Sequence, residues 1–169
     1  ANASNPVFEP CDLNVIAEES KNDLLLSIIE KQAVIEYENL PTINGVCIQL
    51  SQLFTNLIDN AIKYSRPEVK QHIIISSSLS ERKSINHPSA NKHKEYYAIK
   101  FADNGIGFEK NYENKIFELF QRLHGRNEYS GTGIGLAIVK KIVTNHKGFI
   151  IAEGKPGIGA TFIIYFPKL

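Results

Sequence analysis

The sequence predicts an α/β fold of the two-layer sandwich type, in which helices cover one face of a sheet. Residues 12–32 and 46–64 repeat apolar side chains at the three- and four-residue steps of a helix, and residues 133–146 form a third such segment. Between and after these helices lie short runs typical of strands. A chain that mixes the two in this order favours helices packed on one face of a sheet.

The helix predicted over residues 46–64 has the clearest pattern. Its apolar side chains form one buried stripe, made of Leu50, Leu53, Phe54, Leu57, Ile58, Ala61 and Ile62. Pro67 follows closely and ends the helix. The helix predicted over residues 12–32 has a second apolar stripe, made of Ile16, Leu24, Leu25, Ile28 and Ile29.

Five segments predict strands, at residues 33–38, 72–79, 96–102, 149–153 and 160–166. The polar stretch over residues 80–95 joins the second and third strands, so we expect an exposed hairpin loop there. Pro156 and Gly157 predict a turn between the last two strands. We expect residues 1–9 to be a linker and residues 10–169 to form one domain.

Composition limits the function. The 169 residues have a net charge of +1, so no overall field favours nucleic acid or direct contact with a membrane. No apolar run reaches the roughly 18 residues of a membrane helix, and there is no signal peptide. Cys11 and Cys47 lack a metal-type spacing and predict two free thiols in a reducing compartment. The initial alanine and the absence of methionine fit a fragment of a longer protein. We expect a cytoplasmic domain whose parent is membrane-anchored or soluble.

A polar stripe lies opposite the apolar stripe of the helix over residues 46–64. It contains Gln52, Asn56, Asn60 and Lys63, at steps that place them on one side. A solvated surface is one interpretation. The other is a cleft in which an asparagine oxygen holds a hydrated Mg²⁺ and a lysine meets phosphate oxygens.

Two glycine-bearing segments carry further candidate residues. Residues 103–108 read Asp-Asn-Gly-Ile-Gly-Phe. One interpretation is a hairpin turn. The other is an adenine site, in which the carboxylate accepts a hydrogen bond from the exocyclic amine and the glycines let the backbone approach the flat base. Residues 131–136 read Gly-Thr-Gly-Ile-Gly-Leu before a helix, which indicates either a turn or an anion site. Leu136 excludes the dinucleotide fingerprint, and no P-loop pattern is present.

A fourth segment, residues 116–122, contains two phenylalanines, Phe117 and Phe120, followed by Arg122. Phenylalanines at this spacing are normally core anchors, and they could also hold a flexible lid. Arg122 could then reach a terminal phosphate with its fork-shaped donor group.

Taken together and in this order, the four segments resemble the four sequence boxes of sensor histidine kinase catalytic domains, a branch of the GHKL ATP-binding superfamily. The resemblance covers residues 10–167. It implies a mixed five-stranded sheet backed by three helices, with an ATP lid over residues 109–130.

The resemblance also implies roles for individual residues. Asn60 would hold Mg²⁺, while Asn56, Lys63 and Arg122 would contact phosphates as the catalytic groups. The residues expected around the nucleotide are Tyr64, Asp103, Gly105, Gly107, Ile116, Gly131, Thr132, Gly133, Gly135, Leu136 and Thr161. Of these, Asp103 would bind the adenine amine, and Thr161 would join a water-mediated adenine network.

The implied activity is transfer of the γ-phosphate of MgATP to a histidine in a separate dimerisation domain, with a response regulator as the downstream partner. Asn56 stands where related ATPases have a glutamate base, so we expect poor hydrolysis. No histidine of the chain is followed by an acid, as family acceptors are, so we expect that the fragment does not phosphorylate itself. In the family, dimerisation belongs to the separate histidine-bearing hairpin, so we also expect a monomer. A GHKL-type ATPase and a non-catalytic ATP-binding module are the alternatives.

Overall fold

A computed structural model of the chain describes residues 5–80, 85–91, 94–118 and 135–169. The helices are α1 (Leu13–Asp23), α2 (Leu25–Lys31), α3 (Cys47–Lys63) and α4 (Gly135–Asn145). The strands are β1 (Glu9–Asp12), β2 (Val34–Tyr37), β3 (Thr42–Gly45), β4 (His72–Ser80), β5 (Tyr96–Asp103), β6 (Phe149–Lys155) and β7 (Gly159–Pro167). Two short 3₁₀ helices, Lys110–Tyr112 and Lys115–Phe117, follow β5.

The five strands predicted from the sequence form one mixed sheet, in the order β2-β4-β5-β7-β6. Strand β2 runs parallel to β4, and the other neighbours are antiparallel. The hairpin between β4 and β5 and the turn before β7 are therefore confirmed. This sheet and the helices give the predicted α/β sandwich.

The core lies between the sheet and the helices. Side chains of a strand alternate between its two faces, and alternate residues of β4, β5 and β7 enter the core from one face, namely Ile73, Ile75, Ile99, Phe101, Phe162, Ile164 and Phe166. The whole predicted stripe of α3 meets them and is buried. Asp103 belongs to the same alternation as Ile99 and Phe101, so it lies on the helix-covered face at the end of β5.

The described residues contain four α-helices, one more than the three expected. The helix predicted over residues 12–32 is divided at Leu24, whose φ of −103° and ψ of 15° interrupt the helical backbone. The change of axis divides the predicted stripe. Ile16 is buried, whereas Leu25 and Ile29 are 50% and 63% exposed.

The sequence did not predict the short strands β1 and β3, which pair antiparallel in a separate two-stranded sheet. Glu9 is thus part of a strand, although it was expected to end a linker. Four-residue strands contain too few positions for a reliable alternation, and Pro10 argues against a strand.

The expectation of two free thiols was wrong, because Cys11 and Cys47 form a disulfide with a Cα–Cα distance of 5.6 Å. The antiparallel pairing places Cys11 opposite Ile43, and the chain then turns into α3 so that Cys47 comes alongside. The expectation of a reducing compartment rested on free thiols, and the disulfide removes that reason. None of the helices in the described part of the chain is long and apolar enough to cross a membrane.

Candidate functional site

The polar face of α3 is half-buried at the residues that the sequence singled out, Asn56, Asn60 and Lys63. Lys63 Nζ lies 2.9 Å from Asp59 Oδ2, so an acidic neighbour that the sequence analysis overlooked partly offsets its charge. The i, i+4 spacing of Asp59 and Lys63 on a helix could have revealed this pair. Within the described part of the chain, the Asn60 carboxamide makes no hydrogen bond and is free to bind a ligand.

Helix α4 lies antiparallel to α3. Asn56 Nδ2 donates a hydrogen bond to the carbonyl oxygen of Gly135, 3.4 Å away, at the described start of α4. At the other end of the pair, Val46 before α3 meets His146 after α4. Since α3 continues for two turns beyond Asn56, Asn60 and Lys63 lie beyond the described start of α4. A helix N-terminus attracts anions, so the positions of these polar groups and of this helix end suit a phosphate.

The segment after β5 is joined directly to the end of α3. Ile106 N donates to the carbonyl oxygen of Tyr64 at 2.9 Å. A Cβ on Gly105 would collide with that same oxygen, so only glycine lets the two backbones approach this closely. Tyr64, which was predicted to line the nucleotide site, therefore also has a structural role. Its carbonyl oxygen links the end of α3 to the segment that follows Asp103.

Two glycines set the path of this segment. Gly107 has a φ of +66°, and a Cβ there would meet the carbonyl oxygen of Lys155. Gly157 N donates to the carbonyl oxygen of Ile106 at 2.8 Å, which holds the segment against the turn between β6 and β7. Because no strand resumes within the described residues 104–118, the segment does not form the hairpin turn that was one interpretation. Gly105 and Gly107 instead allow it to pass close to the backbones of Tyr64 and Lys155.

Asp103 is held by backbone donors. Its Oδ1 accepts from Gly105 N at 2.8 Å and from Ala160 N at 3.3 Å. Within the described residues its second oxygen, Oδ2, accepts no hydrogen bond. Burial raises the pKa of this carboxyl to about 6, and the two backbone hydrogen bonds oppose the rise. A partly buried carboxylate with one oxygen fixed and the other free can accept a hydrogen bond from a ligand.

Asn104, the neighbour of Asp103, has a structural role that the sequence analysis did not assign. Its Oδ1 accepts from His72 N at 2.8 Å, and its Nδ2 donates to the carbonyl oxygen of Lys70 at 2.9 Å. Its own carbonyl oxygen accepts from Arg66 Nε at 3.0 Å. These three bonds fasten the end of β5 to the chain that leads from α3 into β4.

Phe117, the first of the two predicted core anchors, lies in the core, and Phe120 lies outside the described residues. Ile116 and Phe117 are buried, and the Phe117 ring meets Phe162 edge-on with centroids 6.1 Å apart. Lys140 Nζ lies 5.9 Å from the centre of the Phe117 ring, so this segment also contacts α4. Leu136 is half-buried and packs against the same core.

Thr161 lies on β7, the strand beside the one that carries Asp103. In the β5–β7 ladder Asp103 pairs with Ala160, and Thr161 pairs with Ala102. Because neighbouring side chains of a strand alternate, Thr161 is on the sheet face opposite Asp103. The residue that meets Asp103 is Ala160, through its backbone N–H. Such a strand register cannot be read from a motif.

Four of the predicted site residues lie outside the described residues, namely Arg122, Gly131, Thr132 and Gly133. The same is true of Phe120 and of most of the predicted lid. Most of the other candidates lie along the second half of α3, the start of α4 and the end of β5, while Ile116 lies in the second 3₁₀ helix and Thr161 on β7. The contacts Asn56–Gly135 and Tyr64–Ile106 join these three elements.

Comparison with known proteins agrees with this arrangement. Residues 45–169 match the family described as histidine kinase-, DNA gyrase B-, and HSP90-like ATPase. Cyanobacterial phytochrome A of Nostoc sp. is 38% identical over 160 residues, which are 95% of this chain and 19% of that protein. The chain thus spans about a fifth of the length of this relative.

Solved structures show the same fold. The mycobacterial sensor histidine kinase MprB superposes with a TM-score of 0.73 at 23% identity, over 95% of this chain and 97% of that one. Full-length ShkA in complex with AMPPNP gives a TM-score of 0.73 at 24% identity, over 99% of this chain and 32% of ShkA. At these identities the likeness concerns the fold alone.

Proposed function

Because the chain belongs to the histidine kinase-, DNA gyrase B- and HSP90-like ATPases, as the catalytic domain of a sensor histidine kinase, we propose that it binds MgATP and transfers the γ-phosphate to a histidine on a separate dimerisation domain. The observation that carries the proposal is the junction of α3, α4 and the end of β5. One nucleotide placed there would have its base near Asp103 and its phosphates near Asn60, Lys63 and the start of α4.

Adenine recognition is assigned to Asp103. Its free Oδ2 is a hydrogen-bond acceptor on a partly buried carboxyl, which suits the exocyclic amine of adenine and disfavours the carbonyl oxygen of guanine. A Cβ on Gly105 would lie 3.0 Å from Asp103 Oδ1, so the glycine keeps a side chain away from this carboxyl. Ile116 and Leu136 are assigned to the apolar surroundings of the base, since they are buried and half-buried near the same elements.

The residues present fit a magnesium ion that takes most of its ligands from phosphate and water. The Asn60 carboxamide supplies a neutral oxygen, a ligand type that Mg²⁺ accepts. In the described residues no group of three or more His, Cys, Asp or Glu side chains could hold a metal. When bound, the ion would neutralise phosphate charge, and Lys63 would assist after exchanging Asp59 for the nucleotide.

Transfer to histidine fits the site better than hydrolysis does. Asn56 offers a carboxamide whose nitrogen already donates to Gly135, and a carboxamide cannot remove a proton from water. A neutral imidazole acceptor has its own lone pair and needs no such base. The domain would then contribute positioning and charge neutralisation, which dominate phosphoryl-transfer catalysis.

The phosphate acceptor is assigned to another domain. Three histidines lie in the described residues. His146 is buried and His87 stacks on Phe149 with centroids 4.4 Å apart. His72 is exposed on β4, but it is followed by Ile73 and not by an acid as family acceptors are. We therefore propose that the acceptor lies in a dimerisation domain of the parent protein, and that a response regulator receives the phosphoryl group.

Radiolabelled ATP tests this proposal directly. The domain alone should give no acid-labile phosphohistidine, and mixing it with the histidine-bearing domain of the parent protein should label that domain. Label on the isolated domain, or none on the mixture, would contradict the proposal. Steady release of phosphate from the domain alone would instead favour an ATPase of the same superfamily.

A further inference from the structure

His146 lies where four parts of the structure meet, and none of the roles proposed above uses it. It follows α4 and is buried at 6% exposure. The ring of Phe8 lies on one side with centroids 5.4 Å apart, and the ring of Phe166 on β7 lies edge-on at 5.9 Å. A buried polar ring in such apolar surroundings requires hydrogen-bond partners for both of its nitrogens.

Both nitrogens have backbone partners. Nε2 accepts a hydrogen bond from Val46 N at 3.0 Å, and Nδ1 lies 2.7 Å from the carbonyl oxygen of Ile142. Since a carbonyl can only accept and an N–H can only donate, these partners fix the neutral form with its proton on Nδ1. The imidazole thus donates through Nδ1 to the carbonyl oxygen of Ile142 on α4 and accepts through Nε2 from the residue before α3.

Val46 is the N-cap residue of α3, and its side chain cannot cap the helix. A Cβ on Gly45 would lie 2.8 Å from the imidazole ring, so the glycine is what allows the ring to approach this closely. The imidazole of His146 therefore accepts the hydrogen bond of the N-cap residue at the start of α3, the same helix end that the disulfide of Cys47 holds to Cys11.

We propose that His146 is a positioning residue for the nucleotide site, which sets the placement of α3 against α4. Hydrogen bonds join α3 to both ends of α4 as the structure describes it, Val46–His146 at one and Asn56–Gly135 at the other. The second of these lies in the proposed site. Loss of the first bond removes one of these two links, so α3 shifts slightly against α4 within the limits set by the disulfide of Cys47. That shift moves Asn56, Asn60 and Lys63 relative to the start of α4. This inference rests on the proposed function.

Two substitutions separate the hydrogen bond from ring packing. His146→Phe keeps a ring between Phe8 and Phe166 but removes the acceptor, whereas His146→Gln keeps an acceptor oxygen near the position of Nε2. Ile35→Val serves as a control for general loss of stability, because Ile35 is buried on β2 at the far edge of the sheet from β6.

Calorimetric titration with MgAMPPNP should show His146→Phe binding about three- to tenfold more weakly than the unaltered domain. His146→Gln should stay within about twofold, and Ile35→Val should bind normally despite a lower melting temperature. Normal binding by His146→Phe, or equal weakening in both histidine variants, would overturn the inference.

A second readout is independent of nucleotide. The side-chain amide resonance of Asn56 should shift in His146→Phe and remain in place in His146→Gln, although Asn56 does not touch His146. An unmoved Asn56 resonance in His146→Phe would also overturn the inference. If the unaltered domain bound no nucleotide, the proposed function would fail, and this resonance would still decide whether His146 positions the helices.

Discussion

Asn56 donates its side-chain hydrogen bond to the carbonyl oxygen of Gly135, a residue 79 positions away in the sequence. The contact joins the polar face of α3 to the described start of α4, two features that the sequence could identify only separately. Together with the bond from Ile106 N to the Tyr64 carbonyl oxygen, it brings the asparagine helix, the acidic strand end and Gly135 of the second glycine segment to one place.

Asp103 should reduce the stability of the nucleotide-free domain at neutral pH. Its pKa is raised from 3.8 to about 6, so the folded domain favours the protonated carboxyl. This contribution to the free energy of unfolding is fully present below pH 3.8 and is lost as the pH rises through 6. A shift of this size corresponds to at most about 3 kcal/mol. Asp103→Asn keeps an oxygen for the N–H groups of Gly105 and Ala160, so it should stabilise the free domain at pH 7.5.

Urea denaturation of both proteins at pH 7.5 and at pH 4 measures this effect. We expect Asp103→Asn to be the more stable protein at pH 7.5, with most of the difference gone at pH 4. Equal stability at the two pH values, or a less stable variant at pH 7.5, would mean that burial of the charge is not the dominant influence on this carboxyl.

The disulfide between Cys11 and Cys47 should be a large contributor to stability. It closes a loop with a sequence separation of 36, and the chain-entropy relation assigns such a loop about 4 kcal/mol. Denaturation midpoints with and without dithiothreitol should differ accordingly, and a Cys11→Ala/Cys47→Ala double variant should not respond to the reductant. A midpoint unaffected by reduction of the intact chain would contradict this prediction.

Gly107 and Gly157 form a matched pair for testing close backbone approach. Their φ values are similar, +66° and +74°, but a Cβ on Gly107 would meet Lys155 whereas a Cβ on Gly157 would meet nothing within 4 Å. Gly157→Ala should therefore lose only about 1–2 kcal/mol, the conformational part. Gly107→Ala should lose clearly more in thermal denaturation and should also weaken nucleotide binding. Equal losses would show that the contact is easily relieved.

Periodicity predicted the parts of the fold that are long enough to display it. The stripe of α3 is buried from Leu50 to Ile62, and the five strands of the main sheet were found with boundaries that differ by a few residues. The paired strands β1 and β3 were missed because four residues display little alternation. The disulfide was missed with them, since only this pairing brings Cys11 near Cys47.

Composition and motif identified the candidate site residues but not their partners. The salt bridge between Asp59 and Lys63 followed from helical spacing and could have been predicted. The bonds from Ala160 N to Asp103 and from Val46 N to His146 join residues distant in the sequence. Both depend on strand register and helix packing, which no local pattern encodes.

Calorimetric titration of the unaltered domain, Asp103→Ala and Asn60→Ala with MgAMPPNP and with the guanine analogue MgGMPPNP tests the shared nucleotide site most directly. The unaltered domain should bind one equivalent of the adenine nucleotide. Asp103→Ala should bind it roughly ten- to a hundredfold more weakly, with a reduced preference over guanine, and Asn60→Ala should lose the dependence on Mg²⁺. An unaltered domain without binding heat, or two variants that bind as it does, would contradict the account.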